Sequence, residues 1–399
     1  MTGWKSTAGL IATLLPVLCW GHGTAGVPDD PDNPRLIEFP DVPGAKTLVV
    51  DLHSHSVFSD GHVWPKIRIE EAIRDGLDAF AVTEHLEWQP HLADIPHPDR
   101  NRAYEQAAAA AEGSDLIVIA GSEITREQPA GHINAVFITN ANELFRPGES
   151  PEDPAATVDY YRAAHAWPAA EAVAAANAQG AFVFINHPDW PDQRPNGLAE
   201  LTELHERLIA EGQLHGVEIA NGASFSAEAF AIALEADLTL LGVSDVHDLI
   251  DWDYPPEQGA HRPVTLVFSA DASAAGIRQA LFDKQTVVWF KNLLVGREAV
   301  LVPLLEASLT IESARYAADT DVLEVVFRNH SDAVFELENL TGISTIEHAG
   351  QFSVPAHKDL TVSFKPGLRR SQLKLAFEVR NALIAPGRHP VLSFAVNAP

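Results

Sequence analysis

From residue 47 to about residue 300 the chain alternates short apolar runs with helix-like stretches, and this rhythm limits the fold more than any other feature. The runs span 47–51, 79–83, 116–120, 133–138, 181–185, 216–219 and 239–243. Between them lie stretches such as 65–75, with Ile67, Ala72 and Ile73 apolar and charges elsewhere, and the alanine-rich 167–179. Strands that alternate with helices form parallel β/α units, and about seven such units predict a barrel rather than an open sheet. No GxGxxG or P-loop follows the first run, which sets nucleotide-cradling folds aside.

Polar residues of one kind gather where the runs end. Asp51-Leu52-His53-Ser54-His55 follows the first run, and alternate side chains of an extended chain share a face, so His53 and His55 point the same way. Alone this is a weak signal, since a pair of surface histidines is common. Further pieces follow: Asp60 in SDG, His85 in VTEH, Glu123 in GSE, His132 in GHINAVF, His187 in INHPDW, and Asp245 with His247 in SDVHD. In β/α barrels the carboxyl ends of the strands converge, so residues distant in sequence meet there. Imidazoles with carboxylates form a nitrogen and oxygen set suited to Zn²⁺, Mn²⁺ or Fe²⁺, and this set is too large for a single ion.

In order, strand context and residue type these motifs resemble the PHP (polymerase and histidinol phosphatase) family, over about residues 47–300. The resemblance implies a distorted (β/α)7 barrel carrying two or three divalent ions (Mn, Zn or Fe) that hydrolyses phosphate esters by attack of metal-activated water. Carried over by position, one ion would take His53, His55, Glu123 and Asp245. A second would share Glu123 with His132 and His187, and a third would use Asp60, His85 and His247. Catalytic roles fall by the same reasoning on Glu123, Asp60 and His247. Glu84 stands before His85 where the family more often has aspartate. Asp51 is expected to hydrogen-bond a ligand imidazole and fix its tautomer rather than to bind metal.

Nearby residues suggest a substrate pocket. Arg126 and Arg194 are candidates for bidentate phosphate contacts, and Asn134, Asn186 and Asn221 for orienting a phosphoryl oxygen. Trp64, Trp88 and Trp190 follow motif residues closely and either wall the cleft or pack the rim. His62, His91 and His97 fall outside the matching motifs.

The first 26 residues read as an export signal, with Lys5, an apolar run over 8–18 and a small-x-small site ending at Ala25. A retained anchor or lipidation at Cys19 are the alternatives. Cys19 is the only cysteine, so a mature chain would have neither disulfides nor a thiolate nucleophile. Residues 27–46, rich in proline and aspartate, read as a linker or entry arm. After residue 300 the pattern becomes period-two, with runs at 322–328, 334–337, 359–364, 373–380 and 390–396, which predicts a small all-β sandwich over 301–399. Its histidines (His330, His348, His357 and His389) are scattered and read as surface residues.

The formal net charge is −28, and residues 301–399 carry 9 basic and 11 acidic side chains, so the acidic excess lies before residue 300. Such a surface repels nucleic acid and anionic lipid. The expected protein is therefore an exported hydrolase, periplasmic or secreted, with a small phosphoester substrate, no nucleic-acid partner and no membrane span once the signal is removed. A phosphodiesterase of small organophosphate diesters is favoured, with a phosphomonoesterase of the same family as the alternative. A hydrolase of C–N or carboxyl-ester bonds and a non-enzymatic metal-binding or adhesive envelope protein are the readings from other classes.

Overall fold

A computed structural model of the protein describes residues 36–96, 98–146 and 157–398. The expected signal with Cys19, residues 27–35 of the entry arm, and His97 lie outside the described residues. No helix among the described residues is long and apolar enough to cross a membrane.

Each of the seven apolar runs forms a strand, buried almost throughout, as expected of strands covered on both faces. Strands β1 (Lys46–Asp51), β2 (Ala79–Val82) and β3 (Ile117–Thr125) are parallel neighbours. β4 (His132–Val136) runs antiparallel to both β3 and β5 (Phe182–Ile185). β5, β6 (Gly216–Asn221) and β8 (Thr239–Val243) are again parallel, and the short β7 (Ser224–Phe225) folds back on β6. The ring closes beyond the strand ends: His55 N donates to Val246 O at 3.0 Å and Asp245 N to His53 O at 3.0 Å. The result is a barrel of the (β/α)7 kind, distorted by one reversed strand.

That reversal corrects one expectation. His132 does not sit at the carboxyl end of a strand; it is the first residue of β4. Because β4 points the other way, its amino end reaches the same rim. The connection over 126–131 is too short for a parallel crossover, which takes about a dozen residues or more. β3 also continues past Ala120 to Thr125, so Glu123 lies inside a strand rather than after one.

Inside the ring, Leu48 and Val50 of β1 pack with Ala79, Ala81, Ile119, Phe182, Phe184, Leu241 and Val243. Burying each phenylalanine side chain contributes about 1.5–3 kcal/mol. This apolar plug supports the polar residues at the rim above it. On the other side of β1, strands β9 (Val264–Ser269), β10 (Thr286–Phe290) and β11 (Leu293–Gly296) extend the sheet in antiparallel order.

After the helix Glu298–Ser308 the chain builds two four-stranded antiparallel sheets. Their strands are β12 (Leu309–Tyr316), β13 (Leu323–Asn329), β14 (Phe335–Asn339), β15 (Ser344–Thr345), β16 (Gln351–Val354), β17 (Asp359–Lys365), β18 (Gln372–Val379) and β20 (Val391–Asn397). The five period-two runs correspond to β13, β14, β17, β18 and β20; β12, β15 and β16 are additional. Burial alternates strictly along β13, the signature of a strand with one face on a core.

The two parts are joined by more than the linking helix. A short strand β19 (Ala382–Leu383) pairs in parallel with β11. The Asn292 side chain donates to Val334 O at 2.9 Å and accepts from Val334 N at 2.9 Å. Asn381 in turn donates to Asn292 O at 2.9 Å and accepts from Glu336 N at 3.0 Å. One continuous apolar cluster runs from Val49, Phe80 and Leu266 through Leu301 to Phe327, Phe335 and Phe377. Asn292→Ala should therefore destabilise the whole protein by about 1–3 kcal/mol through backbone groups left unpaired. Calorimetry should show barrel and sandwich unfolding in one transition; two resolved transitions in the unsubstituted protein would contradict a shared core.

Candidate metal centre

The segment 52–56 carries the first two histidines past the end of β1, and its backbone is tied on both sides. Ser54 N donates to Thr83 Oγ1 at 2.9 Å and Ser54 Oγ to Ala81 O at 2.7 Å, while the closing bonds to Val246 hold the other edge. Gly61 lets the Asp60 loop lie directly against this segment: a Cβ there would stand 2.8 Å from the His55 carbonyl carbon. The buried Arg68 donates to the carbonyls of His55 (2.9 Å), His247 (2.6 Å) and Asp248 (2.6 Å), so one guanidinium holds both histidine loops.

The side chains then converge. His53 Nε2 lies 3.0 Å from His55 Nε2, 3.0 Å from Glu123 Oε2 and 3.1 Å from Asp245 Oδ1. His55 Nε2 is 3.1 Å from the same two carboxylate oxygens. Bonds of about 2.0–2.2 Å to one ion place neighbouring ligand atoms about 3.0–3.5 Å apart, a range that these five distances match. The other oxygen of Glu123 faces a second group, with His132 Nδ1 at 2.5 Å and His187 Nε2 at 3.8 Å. A third group surrounds Asp60 Oδ1: His247 Nε2 at 3.2 Å, His85 Nε2 at 3.4 Å and His55 Nδ1 at 3.8 Å. All nine residues expected as ligands are thus brought together in one place.

Four of the converging atoms, Asp60 Oδ1, Glu123 Oε1, Asp245 Oδ1 and His132 Nδ1, are buried with no hydrogen-bond partner outside the close contacts among themselves and the neighbouring imidazoles. A buried polar atom left so costs about 1–3 kcal/mol, more for a charged group, and divalent cations would supply the missing partners. The donor set fits Zn²⁺, Mn²⁺ or Fe²⁺. Two of the residues also adopt positive φ, His187 at 22° and Asp245 at 51°. Such backbone is held in place by its surroundings: Glu218 Oε2 accepts from His187 N at 2.7 Å, and Asp245 N is tied to His53 O.

Electrostatics follow from the crowding. Burial works against charge on His53, His55, His85, His187 and His247, yet the surrounding carboxylates outweigh it and raise their pKa values, that of His53 well above 6.5. Burial also works against charge on Glu123, Asp60 and Asp245, and there the imidazoles outweigh it, holding the carboxyls far below their usual range. His132 differs: burial dominates over Glu123 and pushes it down to about 4.

Comparison with known proteins bears on this arrangement. The family model for the PHP domain matches residues 51–182, and that for an Ig-like domain matches residues 309–395. A two-domain protein from Bacteroides vulgatus, containing a predicted PHP-like metal-dependent phosphoesterase, is 35% identical, with TM-score 0.79, over 90% of this chain and 98% of its own. The chain belongs to the PHP family. A candidate metal-dependent phosphoesterase from Bifidobacterium adolescentis is 21% identical over 50% of this chain and 87% of its own, with TM-score 0.36. An amidohydrolase from Chromobacterium violaceum, solved with bound sulfate and no metal, is also 21% identical over 50% and 87%, with TM-score 0.34. No curated protein matches. The PHP barrel here is thus a metal-dependent phosphoesterase fold with His, Asp and Glu clusters able to bind metal.

Around these His, Asp and Glu clusters of the PHP barrel the supporting residues differ from those expected. Asp51 does not reach a ligand imidazole; it accepts from Ser244 N (3.0 Å), Ser244 Oγ (2.6 Å) and Arg262 Nη1 (3.1 Å). Glu218 takes that role. Fully buried in β6, it accepts from His53 Nδ1 at 2.7 Å, which fixes Nε2 as the free nitrogen facing the ligand group. Its second oxygen also accepts from Asn221 Nδ2 at 2.8 Å. The sequence signal was a carboxylate inside an otherwise apolar strand, Gly216-Val217-Glu218-Ile219. Arg68 and Thr125, whose Oγ1 lies 2.6 Å from His85 Nδ1, had no such signal. Glu84 accepts from Ser56 N at 3.1 Å and from the hydroxyls of Ser56 and Ser59, so it braces the loop before Asp60.

The expected substrate contacts separate. Asn221 lines the cleft, and its Nδ2 also reaches Asp245 Oδ2 at 3.1 Å. Arg126 is turned inward, paired with the buried Glu87 and bonded to Trp167 O at 2.9 Å, and so is not available to a phosphate. Arg194 is occupied by Glu200, with a bond to its carbonyl at 2.9 Å. Asn134 is fully buried, away from the cleft lining. Asn186 is buried as well, its Oδ1 accepting from Asn134 N at 3.1 Å. Trp88 and Trp190 line the cleft; Trp64 does not, and packs edge-on against Phe58.

A protonated imidazole nitrogen cannot ligate, and five of these histidines hold protons above the ordinary 6.5. Metal uptake near neutral pH should therefore expel protons, and affinity should fall as the pH is lowered. Titration calorimetry in two buffers of different ionisation enthalpy should give different heats; identical heats would contradict this. Glu218→Gln should weaken metal binding about 10- to 100-fold, read by competition with a chelating dye.

Proposed function

We propose that the protein is an exported phosphodiesterase of small organophosphate diesters. The observation that carries the diester preference is the lining of the cleft, a cavity of 510 Å³ above the ligand groups, which contains no lysine or arginine among the described residues. A phosphomonoester brings a second negative charge and is usually met by guanidinium or ammonium groups. Here the two nearby guanidiniums are engaged by Glu87 and Glu200. A diester carries one charge and an additional ester group, which suits the aromatic surface of Trp88, Tyr161 and Trp190 in the same lining. Export rests on the character of the first 26 residues.

Bound divalent ions would supply Lewis acidity and an activated water. His53, His55, Glu123 and Asp245 would hold one, His132 and His187 a second shared through Glu123, and Asp60, His85 and His247 a third. The chain's own part is to orient and to exclude. Glu218 sets the tautomer of His53, and Asn221 fixes Asp245. Among the described residues the hydroxyl side chains in the lining belong to Thr125 and Tyr161; Thr125 is committed to His85, and burial with Glu127 and Glu87 pushes Tyr161 up to about 12. Neither is a ready nucleophile, so water attacks phosphorus directly.

On Mn²⁺-loaded protein, kcat/KM for bis-p-nitrophenyl phosphate should exceed that for p-nitrophenyl phosphate by about tenfold or more, which corresponds to about 1.4 kcal/mol of transition-state preference. The reverse order would sink the diester reading. A substrate chiral at phosphorus should react with inversion. Glu123→Ala should lower metal content by two ions together, measured by elemental analysis; full metal content with full activity would refute the bridging role.

A further inference from the structure

Two carboxylates line the cleft without belonging to any ligand group. Glu127 and Asp192 are both exposed there, and neither forms an ion pair with a lysine or arginine among the described residues. Metal ions would offset Asp60, Glu123 and Asp245, but these two carboxylates stand apart from that set. They share the lining with three aromatic side chains. Trp88 and Tyr161 meet edge to face with ring centroids 5.6 Å apart. Trp190 lies 5.4 Å from the ring of His132 and 5.3 Å from that of His187, so it runs from the ligand groups outward. Burial first, and then Glu127 and Glu87, raise the Tyr161 hydroxyl, with Arg126 opposing them.

We propose that this part of the cleft receives a quaternary alkylammonium group, so that the substrate is a phosphodiester in which one ester is made by a choline-type alcohol. This rests on the phosphodiesterase reading above and gives it a substrate class. Each half of such a zwitterion meets its opposite: the phosphodiester anion lies at the ligand groups, and the cation lies among aromatic faces with two carboxylates. A quaternary ammonium is weakly hydrated and is attracted to tryptophan and tyrosine faces. A neutral alkyl group of the same shape would fill the space without engaging Glu127 and Asp192, and an anionic one would be repelled by them. In the reaction, water oxygen bonds to phosphorus, one P–O ester bond breaks, and the departing alcohol oxygen takes the proton. The products are an alcohol and a phosphate monoester.

The test uses the full chain and begins with binding alone. Tryptophan fluorescence and calorimetry would compare choline with its uncharged isostere 3,3-dimethylbutan-1-ol. Choline should bind about tenfold more tightly or better, a difference in line with a cation–π contact plus two carboxylates. Glu127→Gln with Asp192→Asn should erase the preference while leaving the circular dichroism and melting temperature unchanged. Equal affinities, or no choline binding, would overturn the inference. A second arm compares p-nitrophenylphosphocholine with p-nitrophenyl 3,3-dimethylbutyl phosphate, expecting about a tenfold higher kcat/KM for the former. Turnover of bis-p-nitrophenyl phosphate with equal rates on this pair would overturn the choline assignment and leave the phosphodiesterase reading standing. A choline preference in binding without turnover of any diester would overturn the phosphodiesterase reading, and the substrate assignment with it.

Discussion

Two backbone hydrogen bonds, from His55 N to Val246 O and from Asp245 N to His53 O, hold the centre of this protein together. They join the extension of the first barrel strand to the extension of the last. Through them the His53 pair and the Asp245 pair, almost two hundred residues apart, become neighbours. Side chains then lock what the backbone has brought together. Arg68 grips three carbonyls of the two loops, and Arg262 pairs with Asp51 and Asp75 just beneath. Buried guanidiniums with several acceptors tolerate little movement, so the converging imidazole and carboxylate atoms are held in place by the chain itself.

Much of this was legible in the residues, for an identifiable reason. Apolar runs of four to nine residues become strands wherever they can be buried, and polar residues at their ends have nowhere to go but the rim. The nine ligand candidates are therefore readable from strand position together with family order. What was misread involves direction and depth. Nothing in His132-Ile133-Asn134-Ala135-Val136 marks which way a strand points, although the short connection before it was a usable clue. Nor does sequence show whether a polar side chain at a rim looks inward or sideways. Arg126, Arg194 and Asn134 sit at expected places along the chain but face Glu87, Glu200 and the interior respectively.

The supporting partners were harder still, because they are chosen by packing in three dimensions. Asp51 lies two residues from His53 and looked like its natural support, yet Ser244 and Arg262 take up its carboxylate. Glu218 comes from a strand across the barrel and needed the closed ring to reach His53. In the C-terminal part, β12 escaped notice because a bulge between Ile311 and Ser313 breaks its alternation. β16 escaped because it spans only four residues among turns.

The paired asparagines at the junction, Asn292 and Asn381, have a consequence for heredity as well as for stability. They complete the edges of two sheets at once, and the apolar cluster beneath them belongs to neither half alone. A gene fragment ending after the barrel would encode a molecule with a bare strand edge and an open apolar wound, both of which invite association. The Ig-like module is therefore not a cassette that recombination can move freely. A substitution on one side of this seam is felt on the other.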